Sequence, residues 1–274
     1  VLIAGCGDLG LRVAGRLLAR GDEVYGLRRR LPVQDDSALH WLCADLTNAH
    51  GLRDLPAGIT QLVYAPTPDA RDETAYRRVF VDGLRHMLAS LDRTSLQRVL
   101  FVSSSAVYGD QGDGWVDEDT QPAPPGFNGN VLLEAEAWLS SQPTRSVVLR
   151  LAGLYGPGRM HVIDQLRAGN ARVPRRVRHW ANRIHVDDAA ASIVHLLDIH
   201  VPQRLYLGVD DTPLPLDVLY DDLAARIRAP RAAEGPAPAG VGSKRLSNAR
   251  LRASGFRFQW PDSRAGYAAL LEPR

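Results

Sequence analysis

Lysine is almost missing from this chain: Lys244 is the single one among 274 residues, and the other basic residues are arginines. No lysine in the first 243 residues can therefore supply an amine or a compact charge to a site formed there. Cys6 and Cys43 are the only cysteines, which excludes a disulfide framework. Two thiols are also too few for a cysteine-built metal site. We expect both in the core or beside loops, in a reducing cytoplasm. No run of about 18 apolar residues occurs, so no transmembrane helix is expected. The first residues show no basic segment followed by an apolar signal region. The 33 basic and 31 acidic residues leave a net charge of +2. That balance argues against a nucleic-acid partner. Internal repeats are absent.

Core material is plentiful, at 45% hydrophobic residues. Strand patterns at 1–5, 23–27, 40–43, 61–65, 98–103, 146–151 and 204–207 alternate with helical patterns at 8–20, 72–92, 128–141, 187–199 and 214–228. That alternation predicts an α/β fold, a Rossmann-type doubly wound parallel sheet with a small C-terminal substrate lobe. The expected division is 1–155 plus 184–208 for the dinucleotide-binding domain, and 156–183 plus 209–274 for the lobe. The Pro-, Ala- and Gly-rich stretch Pro230–Gly242 reads as a mobile surface loop.

The first strand, Val1-Leu2-Ile3-Ala4, runs directly into Gly5-Cys6-Gly7-Asp8-Leu9-Gly10. A strand that breaks into G-x-G-x-x-G and then a helix makes a dinucleotide phosphate site. Gly5 allows the tight turn, Gly7 lets backbone approach a pyrophosphate, and Gly10 lets helix pack on strand. The helix N-terminus presents unpaired N–H groups and a partial positive charge to the phosphates. An NAD site usually carries an acid at the end of the second strand, for the ribose 2′-hydroxyl. That position here reads Leu27-Arg28-Arg29-Arg30. Arginine pairs a 2′-phosphate bidentately. NADP is therefore expected before NAD, with Arg28 as first choice and Arg29 as second; a solvated basic loop is the competing reading. Asp45 follows the third strand, as an acceptor for the adenine amino group or as an ordinary turn residue.

The chain resembles the extended short-chain dehydrogenase/reductase family, in its nucleoside-diphosphate-sugar epimerase/dehydratase branch. The resemblance rests on Gly5–Gly10, on Asp45-Leu46 and on Ala65 after the fourth strand. It continues in Val102-Ser103-Ser104-Ser105-Ala106-Val107-Tyr108-Gly109, in Leu149–Gly158 and in Ile184-His185-Val186-Asp187-Asp188-Ala189. It implies cofactor contacts from Gly5, Cys6, Gly7, Asp8, Leu9, Gly10, Asp45, Leu46, Ala65 and Ser103. It also implies a small-molecule substrate such as a nucleotide sugar, and a homodimer through helices 72–92 and 128–141.

In that family a Tyr and a Lys four residues apart share one helix face. The cation lowers the phenol pKa, so that a phenolate acts as base. The matching stretch here is Phe127–Glu136, which puts Asn128 at the Tyr position and Leu132 at the Lys position. Asn does not titrate and Leu offers no donor. Ser104 lies four residues before Tyr108, as the family's catalytic Ser or Thr does; Ser103 and Ser105 are the alternatives. Tyr155 or Tyr108 is expected to handle the proton in place of the missing pair. His161 is a further titratable candidate, whereas His185, Asp187 and Asp188 read as structural around a helix start. Arg150, Arg159, Arg175, Arg176, Arg178 and Arg183 are candidates for substrate phosphates, and Trp180 for a base or sugar. Two functions follow: an atypical NAD(P)-dependent oxidoreductase or epimerase, or a non-catalytic dinucleotide-binding sensor or scaffold.

Overall fold

The computed structural model describes residues 1–32 and 38–272. Seven strands form its central sheet: β1 (Leu2–Ala4), β2 (Tyr25–Arg28), β3 (His40–Cys43), β4 (Gln61–Tyr64), β5 (Arg98–Ser104), β6 (Ser146–Leu151) and β7 (Leu205–Gly208). In space they run β7-β6-β5-β4-β1-β2-β3. The pairings β1–β2, β2–β3, β1–β4 and β4–β5 are parallel. This is the doubly wound order, and the winding reverses between β1 and β4. Both faces of such a sheet are covered, so its strands read as continuous apolar runs rather than alternating ones. Leu62, Val63, Tyr64, Val99, Leu100 and Phe101 are all fully buried.

The helices are α1 (Asp8–Ala19), α2 (Glu73–Tyr76), α3 (Gly83–Ser90), α4 (Phe127–Ser140), α5 (His161–Arg167), α6 (Val186–Asp198), α7 (Leu216–Arg226), α8 (Ala249–Ala253) and α9 (Ser263–Leu271). Helix α1 buries Leu9, Val13, Ala14 and Leu17 on one stripe. Each of its larger side chains contributes roughly 1.5–3 kcal/mol. Gly21, at φ +89°, ends the helix, with its N–H donating to the Leu18 carbonyl.

The sequence predicts one helix over 72–92. The structure instead inserts a π-helical stretch, Arg77–Asp82, between α2 and α3. The cause is a side chain entering the helical ladder. The buried Tyr64 hydroxyl donates to the Val79 carbonyl at 2.6 Å. A Cβ on Gly83 would lie 2.7 Å from that hydroxyl, so the next turn needs glycine there.

The chain divides into two compact units. The first comprises Val1–Ser104, Gly126–Arg150 and Ala190–Tyr206; the second comprises Ser105–Pro125, Leu151–Ala189 and Leu207–Arg274. The sequence expects boundaries at 155 and at 184–208; the structure divides the chain after 104, 125, 150, 189 and 206. Ser105–Pro125 belongs to the second unit because Trp115–Val116 pairs in parallel with Arg245–Leu246. The second unit has its own core, built from Tyr155, Ile163, Leu166, Leu219, Leu223 and Tyr267 among others. The stretch read as a mobile loop also holds regular structure, since Ala233–Glu234 pairs with Arg172–Val173.

Candidate dinucleotide site

Within the first unit a cavity of about 690 Å³ opens at the C-terminal ends of β1, β2, β3 and β4. Open α/β sheets bind ligands at this place. Gly5 and Gly7 line it from the glycine loop, and Arg28, Arg29 and Arg30 from the end of β2. Asp45, Leu46 and Thr47 follow β3, and Pro66, Thr67, Asp69 and Asp72 follow β4. Arg78 and Val79 enter from the π-helical stretch.

The three glycines of the loop differ in what they require. Gly5 sits at φ +86°, and a Cβ there would fall 2.5 Å from the Pro66 Cα. Its N–H and that of Cys6 both donate to the Leu27 carbonyl at 3.0 Å. Gly10 is held by packing, with an added Cβ 3.1 Å from Ile3 Cγ2 and 3.2 Å from the Gly5 carbonyl oxygen. Gly7 is different: a Cβ there would meet no protein atom within 4 Å. It caps α1 and lines the cavity, so the space beside it is open to a ligand. The first turn of α1 adds N–H groups without intrahelical partners and the positive end of the helix dipole. The open face of Gly7 and the positive end of the helix dipole therefore fit a diphosphate.

At the end of β2, the Arg28 guanidinium lies 5.8 Å from the centroid of the Trp41 ring. Arg29 makes a two-pronged ion pair with Asp69. That pairing holds the Asp69 carboxyl below its usual range and the Arg29 guanidinium above its own. Asp45 Oδ1 accepts from the Thr47 N–H and hydroxyl, both at 2.9 Å. Among the other expected contacts, Leu9 is buried under α1, and Cys6 is buried with its Sγ 3.1 Å from where a Gly26 Cβ would stand. Asp8 pairs with Arg12 one turn on. The Ala65 N–H extends the sheet by donating to the Ala4 carbonyl at 2.9 Å. Cys6, Asp8, Leu9, Gly10 and Ala65 are not among the residues that line the cavity.

Ser103, expected at the cofactor, has its hydroxyl donating to Glu136 Oε1 at 2.6 Å and is not among the residues that line the cavity. Glu136 also accepts from Arg150 Nε at 3.1 Å and from Nη2 at 2.6 Å, and all three side chains are buried. Arg150 is therefore committed to this trio and not to a substrate phosphate. Arg175 is likewise held by Asp221, at 2.8 and 3.0 Å. Ser104 ends β5 half-buried. Asn128 and Leu132 stand one turn apart on α4, with Leu132 in the core.

Both tyrosines proposed as proton carriers are core residues. The Tyr108 hydroxyl donates to the Asp117 carbonyl at 2.9 Å, and the side chain is fully buried. Tyr155 is 1% exposed and stacks on Tyr267 with centroids 4.3 Å apart. Burial, then the Asp210 carboxylate, pushes its phenol far above the ordinary value of 10. A phenol held so high is no base near neutral pH. His185 is buried against the Tyr155 ring and accepts from the Asp187 N–H through Nδ1 at 3.2 Å. Asp188 accepts from the Gln259 and Trp260 N–H groups, each at 2.9 Å. His185 and Asp188 are thus engaged by other groups of the second unit.

Sequence reasoning missed the wall made by Pro66, Thr67, Asp69 and Asp72. The available signal was the Pro-Thr-Pro-Asp run directly after a central strand. Arg78 gave none, because its approach depends on the π-helical stretch. Among the described residues no cluster of His, Cys, Asp and Glu could hold a metal. No described helix is long and apolar enough to cross a membrane.

Comparison with known proteins agrees with this geometry. Escherichia coli (strain K12) Protein YeeZ is 29% identical over 276 residues, covering 96% of each chain. A 3-diazoavenalumate denitrifying reductase from Streptomyces sp is 28% identical, covering 84% of this chain and 82% of its own. The structure of a Methylobacillus flagellatus protein assigned as an NAD-dependent epimerase/dehydratase superimposes with a TM-score of 0.84 and 42% identity. It covers 98% of this chain and 96% of that one. The Thermotoga maritima UDP-glucose 4-epimerase, solved with UDP-glucose, shares the fold at a TM-score of 0.82 and 14% identity, covering 97% of this chain and 96% of that one. The model of the NAD dependent epimerase/dehydratase family matches residues 1–206. With its winding order, glycine loop and cavity, this chain belongs to the NAD-dependent epimerase/dehydratase family.

Proposed function

We propose that the chain binds NADP in preference to NAD in this cavity and acts as an atypical reductase on a nucleotide sugar or a related small carbonyl compound. The observation that carries the cofactor half is the end of β2. Arg28, Arg29 and Arg30 line the cavity where an NAD site presents an acid. Guanidinium groups suit a 2′-phosphate through paired, charge-assisted hydrogen bonds.

The reaction half rests on what stands at the family's relay positions. Epimerising or oxidising an alcohol begins with loss of a hydroxyl proton, which needs a base. Asn128, Leu132, Tyr108 and Tyr155 provide none. Reduction of a carbonyl or another electrophilic acceptor needs a hydrogen bond to the acceptor atom and a proton from water. When bound, the nicotinamide supplies hydride. Ser104 is the residue of this chain proposed to donate that hydrogen bond. The name of the Streptomyces relative, a reductase, supports this direction. The sugar-nucleotide substrate is supported by the UDP-glucose held by the Thermotoga maritima epimerase. A cytoplasmic location and a homodimer through the segments 72–92 and 128–141 belong to the same proposal; sedimentation equilibrium tests the dimer.

Calorimetry with NADPH and NADH, followed by NADPH oxidation with a panel of keto-sugars and small carbonyl compounds, tests the reading. Tighter NADPH binding and turnover that falls in Ser104→Ala support it; no binding of either dinucleotide defeats it. Asn128 and Leu132 favour one second reading, a dinucleotide sensor or scaffold. It predicts tight NADPH binding with no turnover on any acceptor.

A further inference from the structure

We propose that Asp69 sets the dinucleotide preference of the cavity by occupying Arg29, so that a 2′-phosphate competes with a carboxylate of this chain for one guanidinium. The inference rests on the NADP reading of the same cavity.

Both partners line the cavity, from different walls. Arg29 follows β2, and Asp69 lies in the loop between β4 and α2. The pair uses both Nη atoms and both carboxylate oxygens, the full fork that a phosphate would otherwise take. Pro66 and Pro68 restrict the approach of Asp69, and Asp72 closes the same loop by accepting from the Ala75 N–H at 2.8 Å. Neighbouring arginines are arranged differently. Arg28 lies over the Trp41 ring, and Arg30 and Arg78 line the cavity at other points. Asp45, the nearby acid on the β3 side, has Oδ1 engaged by Thr47. A 2′-phosphate is thus read mainly by Arg28 and Arg30, with Arg29 recruited only at the expense of its carboxylate. NAD carries no group that competes for Arg29, so its binding does not draw on the pair.

Asp69 and Arg29 are both solvent-exposed, and their variants leave the core untouched. An exposed ion pair is a modest competitor, which sets the size of the effect. Asp69→Asn is expected to tighten NADPH about 2- to 5-fold while leaving NADH within about 1.5-fold. The gain depends on Arg29, so Asp69→Asn made in the R29Q background is expected to produce none. A uniform electrostatic effect of removing one negative charge would tighten both dinucleotides and persist in R29Q, and that result overturns the proposal. Unchanged or weaker NADPH binding by Asp69→Asn overturns it as well. Wild-type protein that binds NADPH but gives either of these results sinks the competition alone. Wild-type protein that binds neither dinucleotide sinks the competition and the functional reading together.

Discussion

Gly5→Ala and Gly7→Val, two residues apart, are expected to fail in opposite ways. Gly5 lies at φ +86°, where a residue with a Cβ costs about 1–2 kcal/mol. The added methyl would also sit 2.5 Å from the Pro66 Cα and 2.6 Å from its nitrogen, and backbone gives way poorly. Overpacking of that kind costs about 1–3 kcal/mol. Together these predict that Gly5→Ala loses roughly 2–5 kcal/mol, or about 5–15 °C in Tm. Gly7 has φ −91° and an open space where its Cβ would stand. Valine there costs the fold at most about 1 kcal/mol, as a poorer helix cap. Its branched side chain would instead project where a diphosphate has to lie. Losing one hydrogen bond to a charged group, worth about 1.5–3 kcal/mol, weakens binding by roughly 10- to 150-fold. Thermal unfolding with and without NADPH, together with calorimetric titration, separates the two outcomes. Wild-type affinity in Gly7→Val would refute the placement of the diphosphate, and an unchanged Tm in Gly5→Ala would refute the strain argument.

Other residues give independent tests. Arg28→Asp is expected to move dinucleotide preference from NADPH towards NADH, read as the ratio of the two Kd values; an unchanged ratio removes Arg28 as selector. Glu136→Ala leaves Arg150 buried without its carboxylate and is expected to lower stability by about 3–5 kcal/mol in denaturant titration. Burial pushes the Asp210 carboxyl up to about 8, against about 3.9 in an unfolded chain. Between those values the folded chain holds a proton that the unfolded chain releases, so stability falls as pH rises from about 4 to about 8 and levels off above. Asp210→Asn is expected to flatten that slope in Tm measured from pH 5 to 9; an identical slope in wild type and variant would contradict the buried, protonated carboxyl.

Much of the first unit was legible because its signals are local. Gly5, Gly7 and Gly10 announce a turn and a helix start at fixed spacing, and continuous apolar runs announce buried parallel strands. An acid missing after β2 could likewise be read one residue at a time. Placing Asn128 and Leu132 at the family's Tyr and Lys positions rests on the resemblance of Phe127–Glu136; the structure shows only that both lie on α4. The walls of the cavity were not legible, because Asp69 and Arg78 reach it through a proline-bearing loop and a π-helical stretch. At that stretch the Tyr64 hydroxyl, from the end of β4, enters the helical ladder by donating to the Val79 carbonyl.

Residue type alone thus carried the α/β alternation and the glycine loop, since each depends on neighbours in sequence or on regular periodicity; the strand order came from the structure. Only the tertiary structure decided the fates of Tyr155, Tyr108, Ser103 and Arg150. A hydroxyl or a guanidinium is chemically available or committed according to what is packed around it. Here Tyr267, Asp117, Glu136 and the surrounding core, brought against these groups by the fold, made that choice.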